Sequence, residues 1–134
     1  MALKATLKLD GKSYDVKDLE YEISKPCNNN YKPSASPRGG IISFTILSPM
    51  DKNLVFHEWL LSISDVKKGE FRLPLTNGIK HVVKTLSFDR AHCVNLRETY
   101  SCVNSLQMYM RITISATIIS FGPGVEFRNK EFPL

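Results

Sequence analysis

From Leu106 to Ile118 the chain alternates apolar and polar side chains without a break. Leu106, Met108, Met110, Ile112, Ile114, Ala116 and Ile118 fall on one side. Gln107, Tyr109, Arg111, Thr113, Ser115 and Thr117 fall on the other. Successive side chains of a strand point to opposite faces of a sheet, so this pattern predicts a long strand with one core face. The opposite face is polar and almost uncharged. An apolar face of that length must be covered by other elements, and the rest of the chain supplies them.

Most other segments carry the same period. Leu3, Ala5, Leu7 and Leu9 alternate with Lys4, Thr6 and Lys8, and Asp10-Gly11 is a residue pair that suits a tight hairpin turn with positive φ at both central positions. The returning strand places Tyr14 and Val16 on one face and then Leu19, Tyr21 and Ile23, a change of phase near Lys17-Asp18. A bulge produces such a change, and curled or closed sheets need bulges. Ile42, Phe44 and Ile46 form a third strand after Gly39-Gly40. Phe71, Leu73 and Leu75 form a fourth, with Pro74 pointing to an edge or a bulge and Asn77-Gly78 to a second hairpin turn. Strands over 79–88, with Leu86 and Phe88 in the core, and over 91–100, with Val94, Leu96 and Tyr100 sharing a face, precede a turn at 101–105. Gly122-Pro123-Gly124 ends the last strand and leaves 125–134 as a tail.

One segment reads as a helix. Phe56, Trp59, Leu60 and Ile63 stand at i, i+3, i+4 and i+7, and Ser48-Pro49-Met50-Asp51 has the composition of a helix start. Leu54 and Leu61 lie off this stripe, which suggests a contact with another subunit. Residues 25–38, KPCNNNYKPSASPR, have no period and are rich in Pro, Asn and Ser, so they form a long loop. The expected architecture is one domain over 1–134. It is mainly β, a rolled barrel or sandwich of about seven strands with one short inserted helix.

The 134 residues are enough to bury a core without disulfide or metal support. No apolar run reaches the roughly 18 residues that cross a bilayer, and the first residues lack a signal peptide's apolar block. Hence no membrane insertion is expected. The net charge of +5 raises a nucleic-acid partner, but the lysines alternate with apolar residues or lie among acids, so none is expected. Cys27, Cys93 and Cys102 contain no CxxC pair and read as free thiols. His57, His81 and His92 have no ligand spacing, so no metal and no cofactor are expected. The pairs Asp18/Glu20 and Asp89/Glu98 read as solvated charges, no nucleophile elbow or phosphate loop is present, and an enzyme is not expected.

Several blocks together resemble one family. ALKATLKLDGKSYDV with Leu19-Glu20-Tyr21, the helix bearing FHEWLL, LSFDRAHCVNLRETY and ITISATIISFG are similar, in order and spacing, to the Bacteroidetes branch of the Hcp (TssD) tube proteins of type VI secretion. The resemblance runs from Ala2 to about Gly122. The sequence departs from it in the tail VEFRNKEFPL and in the Asn run of the long loop. The resemblance implies a fold shared with phage tail tubes, hexameric rings stacked into a tube, effectors in the lumen, and sheath, baseplate and VgrG-type spike proteins as partners. It also implies synthesis in the bacterial cytoplasm and exit through the type VI apparatus. On this reading Tyr31, Lys32 and Arg38 of the loop anchor one ring to the next. Leu54 and Leu61 make lateral subunit contacts, and Thr113, Ser115 and Thr117 line the lumen. Two other readings fit a small basic β protein: an oligonucleotide-binding barrel, or another phage-tail-like tube component.

Overall fold

The alternating segments pair into one antiparallel sheet that closes on itself. The computed structural model describes residues 4–100 and 108–129. Its elements are β1 (Ala5–Leu9), β2 (Lys12–Tyr21), β3 (Ile41–Leu47), α1 (Val55–Leu61), β4 (Lys67–Asn77), β5 (Lys80–Thr99), β6 (Tyr109–Gly122) and β7 (Val125–Arg128). The sheet order is β3-β2-β1-β4-β5-β6-β7, and a further pairing of β3 with β6 closes six strands into a barrel. β7 is the extra strand. It pairs with β6 over Ile118–Gly122, while β3 pairs with β6 over Tyr109–Ser115, so β3 and β7 lie end to end along the same edge.

Turn chemistry sets the hairpins. Asp10 and Gly11 both have positive φ, 52° and 78°, as the sequence predicts. The second turn is displaced by one residue: Asn77 pairs with Lys80, so Gly78 and Ile79 are its centre. Gly78, at φ 64°, supplies the positive φ needed at the first central position. Pro123 and Gly124 make the turn into β7, Gly124 at φ 75°. The register of β2 on β3 shifts between Val16 and Asp18, where the sequence changes phase.

The barrel interior is filled by Leu7, Leu9, Ile42, Phe44, Ile46, Phe71, Ile112 and Ile114, each buried, with Leu86, Phe88 and Met110 beside them. Helix α1 adds Phe56 and Trp59. Phe56 meets Tyr14 edge-on at 5.0 Å, and Trp59 stacks on Phe88 at 6.5 Å while donating its indole N–H to the Ala91 carbonyl at 3.1 Å. Burial of each such ring stabilises the fold by about 2–3 kcal/mol from apolar area alone.

Several elements differ from the sequence expectation, each for a physical reason. The helix begins at Val55, not near Ser48. The Ser48 N–H still bonds the Met108 carbonyl and its hydroxyl donates to Glu98, so neither serves a helix. Successive turns follow, in which Asp51 accepts from the Asn53 N–H and Asn53 from the Val55 N–H. The helix ends at Leu61, leaving Ile63 almost fully exposed. The strands expected over 79–88 and 91–100 are one strand, β5, bent at Arg90 (φ 52°). A register shift between Cys93 and Asn95 turns Val94 and Tyr100 outward and leaves Ala91 and Cys93 in the core. In β6 the phase changes at Ala116-Thr117: both are buried, Ile119 takes the core position and Ile118 does not. Residues 125–128, expected in a tail, form β7. Leu3, Cys102, the turn at 101–105, Leu106 and Gln107 lie outside the described residues.

Candidate assembly surfaces

The segment 25–38 is a hairpin-like projection held by its own backbone. Ser24 and Arg38 exchange N–H···O=C bonds of 2.9 and 2.7 Å at its root, and Cys27 bridges to Pro33 nearer the tip. Asn28 organises the tip: its side-chain oxygen accepts from the N–H groups of Asn30 (2.9 Å) and Lys32 (3.0 Å). Tyr31, at φ 61° and 89% exposed, stands at that tip beside Lys32. Arg38 is not with them; it lies at the root, beside Glu20 and Glu22. The Asn run that looked like an irregularity therefore builds the turn presenting Tyr31.

Leu54, just before α1, and Leu61, its last residue, are 55% and 81% exposed, while Phe56 and Trp59 of the helix face the core. His57 approaches Glu98 at 3.4 Å through Nε2, and Glu98 also accepts from Ser48 at 2.9 Å, which ties the helix and its approach to β5.

The polar face of β6 divides. Thr113 and Ser115 are half-buried, and the Thr113 hydroxyl shares a 3.1 Å hydrogen bond with Ser43 on β3. Thr117 is buried and donates to the Arg90 carbonyl at 3.0 Å, so the subunit itself covers this residue and it lines no open surface. The face also carries charge: Arg111 forks to Asp18 and Glu20, both at 2.9 Å, and touches the Thr45 hydroxyl at 3.0 Å. Each charge is met on the same face. One guanidinium against two carboxylates adds little stability at this exposure and leaves the cluster one negative charge. Asp18 and Glu20 are thus ion-pair partners of Arg111, and Glu98 pairs with Ser48 and His57, not with Asp89.

Among the described residues no three His, Cys, Asp or Glu side chains are placed to hold a metal. No described helix is long and apolar enough to cross a membrane. One surface escaped the sequence reading. The outer part of β4 and β5 leaves Leu75, Ile79, Val82 and Val83 exposed. The signal was present in a run without acids from Phe71 to Phe88, but alternation placed Leu75 with Phe71 and Leu73 and gave Ile79, Val82 and Val83 no face.

The comparisons bear on these surfaces together. The model of the family "Hemolysin coregulated protein Hcp (TssD)" matches residues 1–130. No curated protein matches the sequence. Among solved structures, Hcp1 from Flavobacterium johnsoniae is similar over 95% of this chain and 100% of its own, with TM-score 0.78 and 25% identity. An Hcp1 protein from E. coli is similar over 94% and 97%, with TM-score 0.70 and 13% identity. The secreted protein Hcp3 from Pseudomonas aeruginosa is similar over 94% and 96%, with TM-score 0.59 and 11% identity. The last two share the fold. With the family matched from end to end of the barrel, this chain belongs to the Hcp (TssD) family and is a structural tube subunit of a type VI secretion system, not an enzyme.

Proposed function

We propose that this chain closes into hexameric rings that stack head to tail, and that the stack carries effector proteins under a contractile sheath, seated on a baseplate and tipped by a VgrG-type spike. The observation that carries this reading is the family match over 1–130 together with a closed barrel that leaves separate surfaces exposed on one subunit. A head-to-tail ring needs two different surfaces per subunit, and a stack needs a further pair.

In this reading Tyr31 and Lys32, at the tip of the 25–38 projection, reach the neighbouring ring, with Arg38 bracing the root. Tyr is a frequent anchor of interfaces because it buries a large rigid ring at low entropic cost. Leu54 and Leu61, at the two ends of α1, contribute to lateral contacts. Thr113 and Ser115 line the lumen, beside the Arg111 ion-pair cluster, since a mostly uncharged, hydroxyl-bearing wall gives cargo little to adhere to. Thr117, buried within the subunit, is left out of this reading.

Light scattering after gel filtration, with negative-stain imaging of the same peak, tests the ring. A species near six times the 15.2 kDa chain, seen as open rings, supports it. A monomer at every concentration, with no rings on the grid, overturns it.

A further inference from the structure

Residues 73–84 form an arm that leaves the barrel. β1 pairs with β4 from Gly69 to Arg72, and β6 pairs with β5 from Ser87 onward. Beyond those limits, among the described residues, the two strands pair only with each other. One side of the arm continues the barrel's core face. Phe71 opposite Leu86 is buried; next comes Leu73 opposite Lys84, and then Leu75 opposite Val82, 54% and 47% exposed. Lys80 and Lys84 stand on that side and enter no ion pair among the described residues. From Phe71 to Phe88 there is no acid at all. The arm is thus an uncovered apolar strip between cations.

A groove of ≈ 780 Å³ at the end of β2 and the start of β3 sets an exposed apolar residue among two carboxylates and one guanidinium. Glu20, Tyr21, Glu22, Arg38, Ile41 and Ser43 line it. Ile41 is 46% exposed and shares its face with Glu20 and Ser43, whereas Tyr21 turns to the core side against Phe121. Glu20 holds one nitrogen of Arg111, and Glu22 enters no ion pair among the described residues. Around the closed barrel, β1 separates β2 from β4 and β6 separates β3 from β5. Arm and groove therefore lie on opposite sides of one subunit, the arrangement a head-to-tail contact requires.

We propose that the β4–β5 arm of one copy docks in the β2–β3 groove of the next copy, Leu75 and Val82 against Ile41, with Lys80 and Lys84 facing Glu20 and Glu22. This contact rests on the tube reading above. Ile41 pairs directly with Ser115, so docking places the seam between copies at the border of the Thr113–Ser115 face.

The test is a charge reversal, Lys80→Glu with Lys84→Glu, at exposed positions without ion pairs, so the barrel keeps its circular dichroism and melting. Assembly of the folded variant should need about tenfold more protein or worse, because like charges then meet across the contact. Adding Glu22→Lys should recover part of the loss. In the wild type, a zero-length carbodiimide cross-link should join Lys80 or Lys84 of one copy to Glu20 or Glu22 of another in a mixture of ¹⁵N-labelled and unlabelled protein. A folded reversal variant that assembles at wild-type concentrations, or cross-links confined to other sites, overturns the proposal. Wild-type rings beside equally good variant rings remove this contact alone, whereas a wild type that never assembles removes the tube reading with it.

Discussion

Cys93 is 6% exposed between β5 and β6, and burial pushes its thiol from 9.0 up to about 11, whereas Cys27 is exposed on the projecting hairpin. The unfolded thiol ionises from 9.0 upward while the folded one keeps its proton until about 11. This contribution to stability is full below pH 9 and is lost as pH rises through that window. Comparing wild type with Cys93→Ala by urea unfolding from pH 8 to 11 should show the wild type falling more steeply, by up to about 2–3 kcal/mol over the range. Equal slopes would refute the assignment. Peptide mapping after native alkylation at pH 8 should find Cys27 labelled about a hundredfold faster than Cys93 or more, since burial both shields the Cys93 thiol and keeps it protonated. A second site is fixed by backbone, not chemistry. Gly40 has φ 98°, and a Cβ there would stand 2.6 Å from the Ala116 carbonyl. Gly40→Ala should cost about 2–4 kcal/mol, combining backbone strain with overpacking, and lower the urea midpoint with an unchanged slope. The Gly39-Gly40 pair was readable as a strand start, but its role at the junction of β3 and β7 was not, because four alternating residues after a Gly-Pro-Gly turn are too few to mark β7 as a strand. Thr117 was misread for a related reason: its alternation is correct up to Ala116, and the bend at Arg90 on the partner strand then changes which side is inside.

At the scale of elements, α1 is held by two aromatics and one indole hydrogen bond more than by its own helical tendency, since seven residues are too few to be stable alone. Trp59→Phe keeps most of the stacking on Phe88 but leaves the Ala91 carbonyl without its donor. The expected loss is about 1–3 kcal/mol, measured by urea unfolding followed by far-ultraviolet circular dichroism. A loss below about 0.3 kcal/mol would mean that water replaces the indole at no cost, and that the bond does not fix the helix. The helix was visible from the spacing of Phe56, Trp59 and Leu60 because burial on one face imposes that spacing. Its start was not. Ser48, Pro49 and Asp51 satisfy every local rule for a helix start, yet Ser48 is claimed by Glu98 and Met108, partners fifty residues and more away in sequence. The hairpins and the β2 bulge were legible because turn geometry and side-chain phase are local; the continuity of β5 through Arg90 depends on β6 lying alongside it.

At the scale of the whole molecule, closure makes the barrel self-sufficient and leaves its projections free to serve assembly. Nothing in a single chain's periodicity distinguishes a barrel that stands alone from one that builds a tube, so that inference came from the ordered blocks of family resemblance and from the family match, not from alternation. The projection 25–38 offers the cleanest separation of fold from assembly. Its hydrogen bonds run within itself, from Asn28 to Asn30, Tyr31 and Lys32 and from Ser24 to Arg38, and it contributes no side chain to the buried core. It holds Lys25, Lys32 and Arg38 and no acid, so it suits a neutral or acidic receiving surface. Replacing residues 27–33 with Asn-Gly lets the existing bond from the Ser34 N–H to the Pro26 carbonyl close a two-residue turn while removing Tyr31 and Lys32. The shortened protein should melt within about 2 °C of wild type, because only a surface tip is lost. Its ring mass by light scattering should be unchanged, because the lateral contacts proposed above involve other residues. Stacks of rings on negative-stain grids should become rare and short under conditions where wild type forms long ones. Stacks as long as those of wild type would place the ring-to-ring contact off this hairpin, and loss of the rings themselves would make the hairpin a lateral element instead.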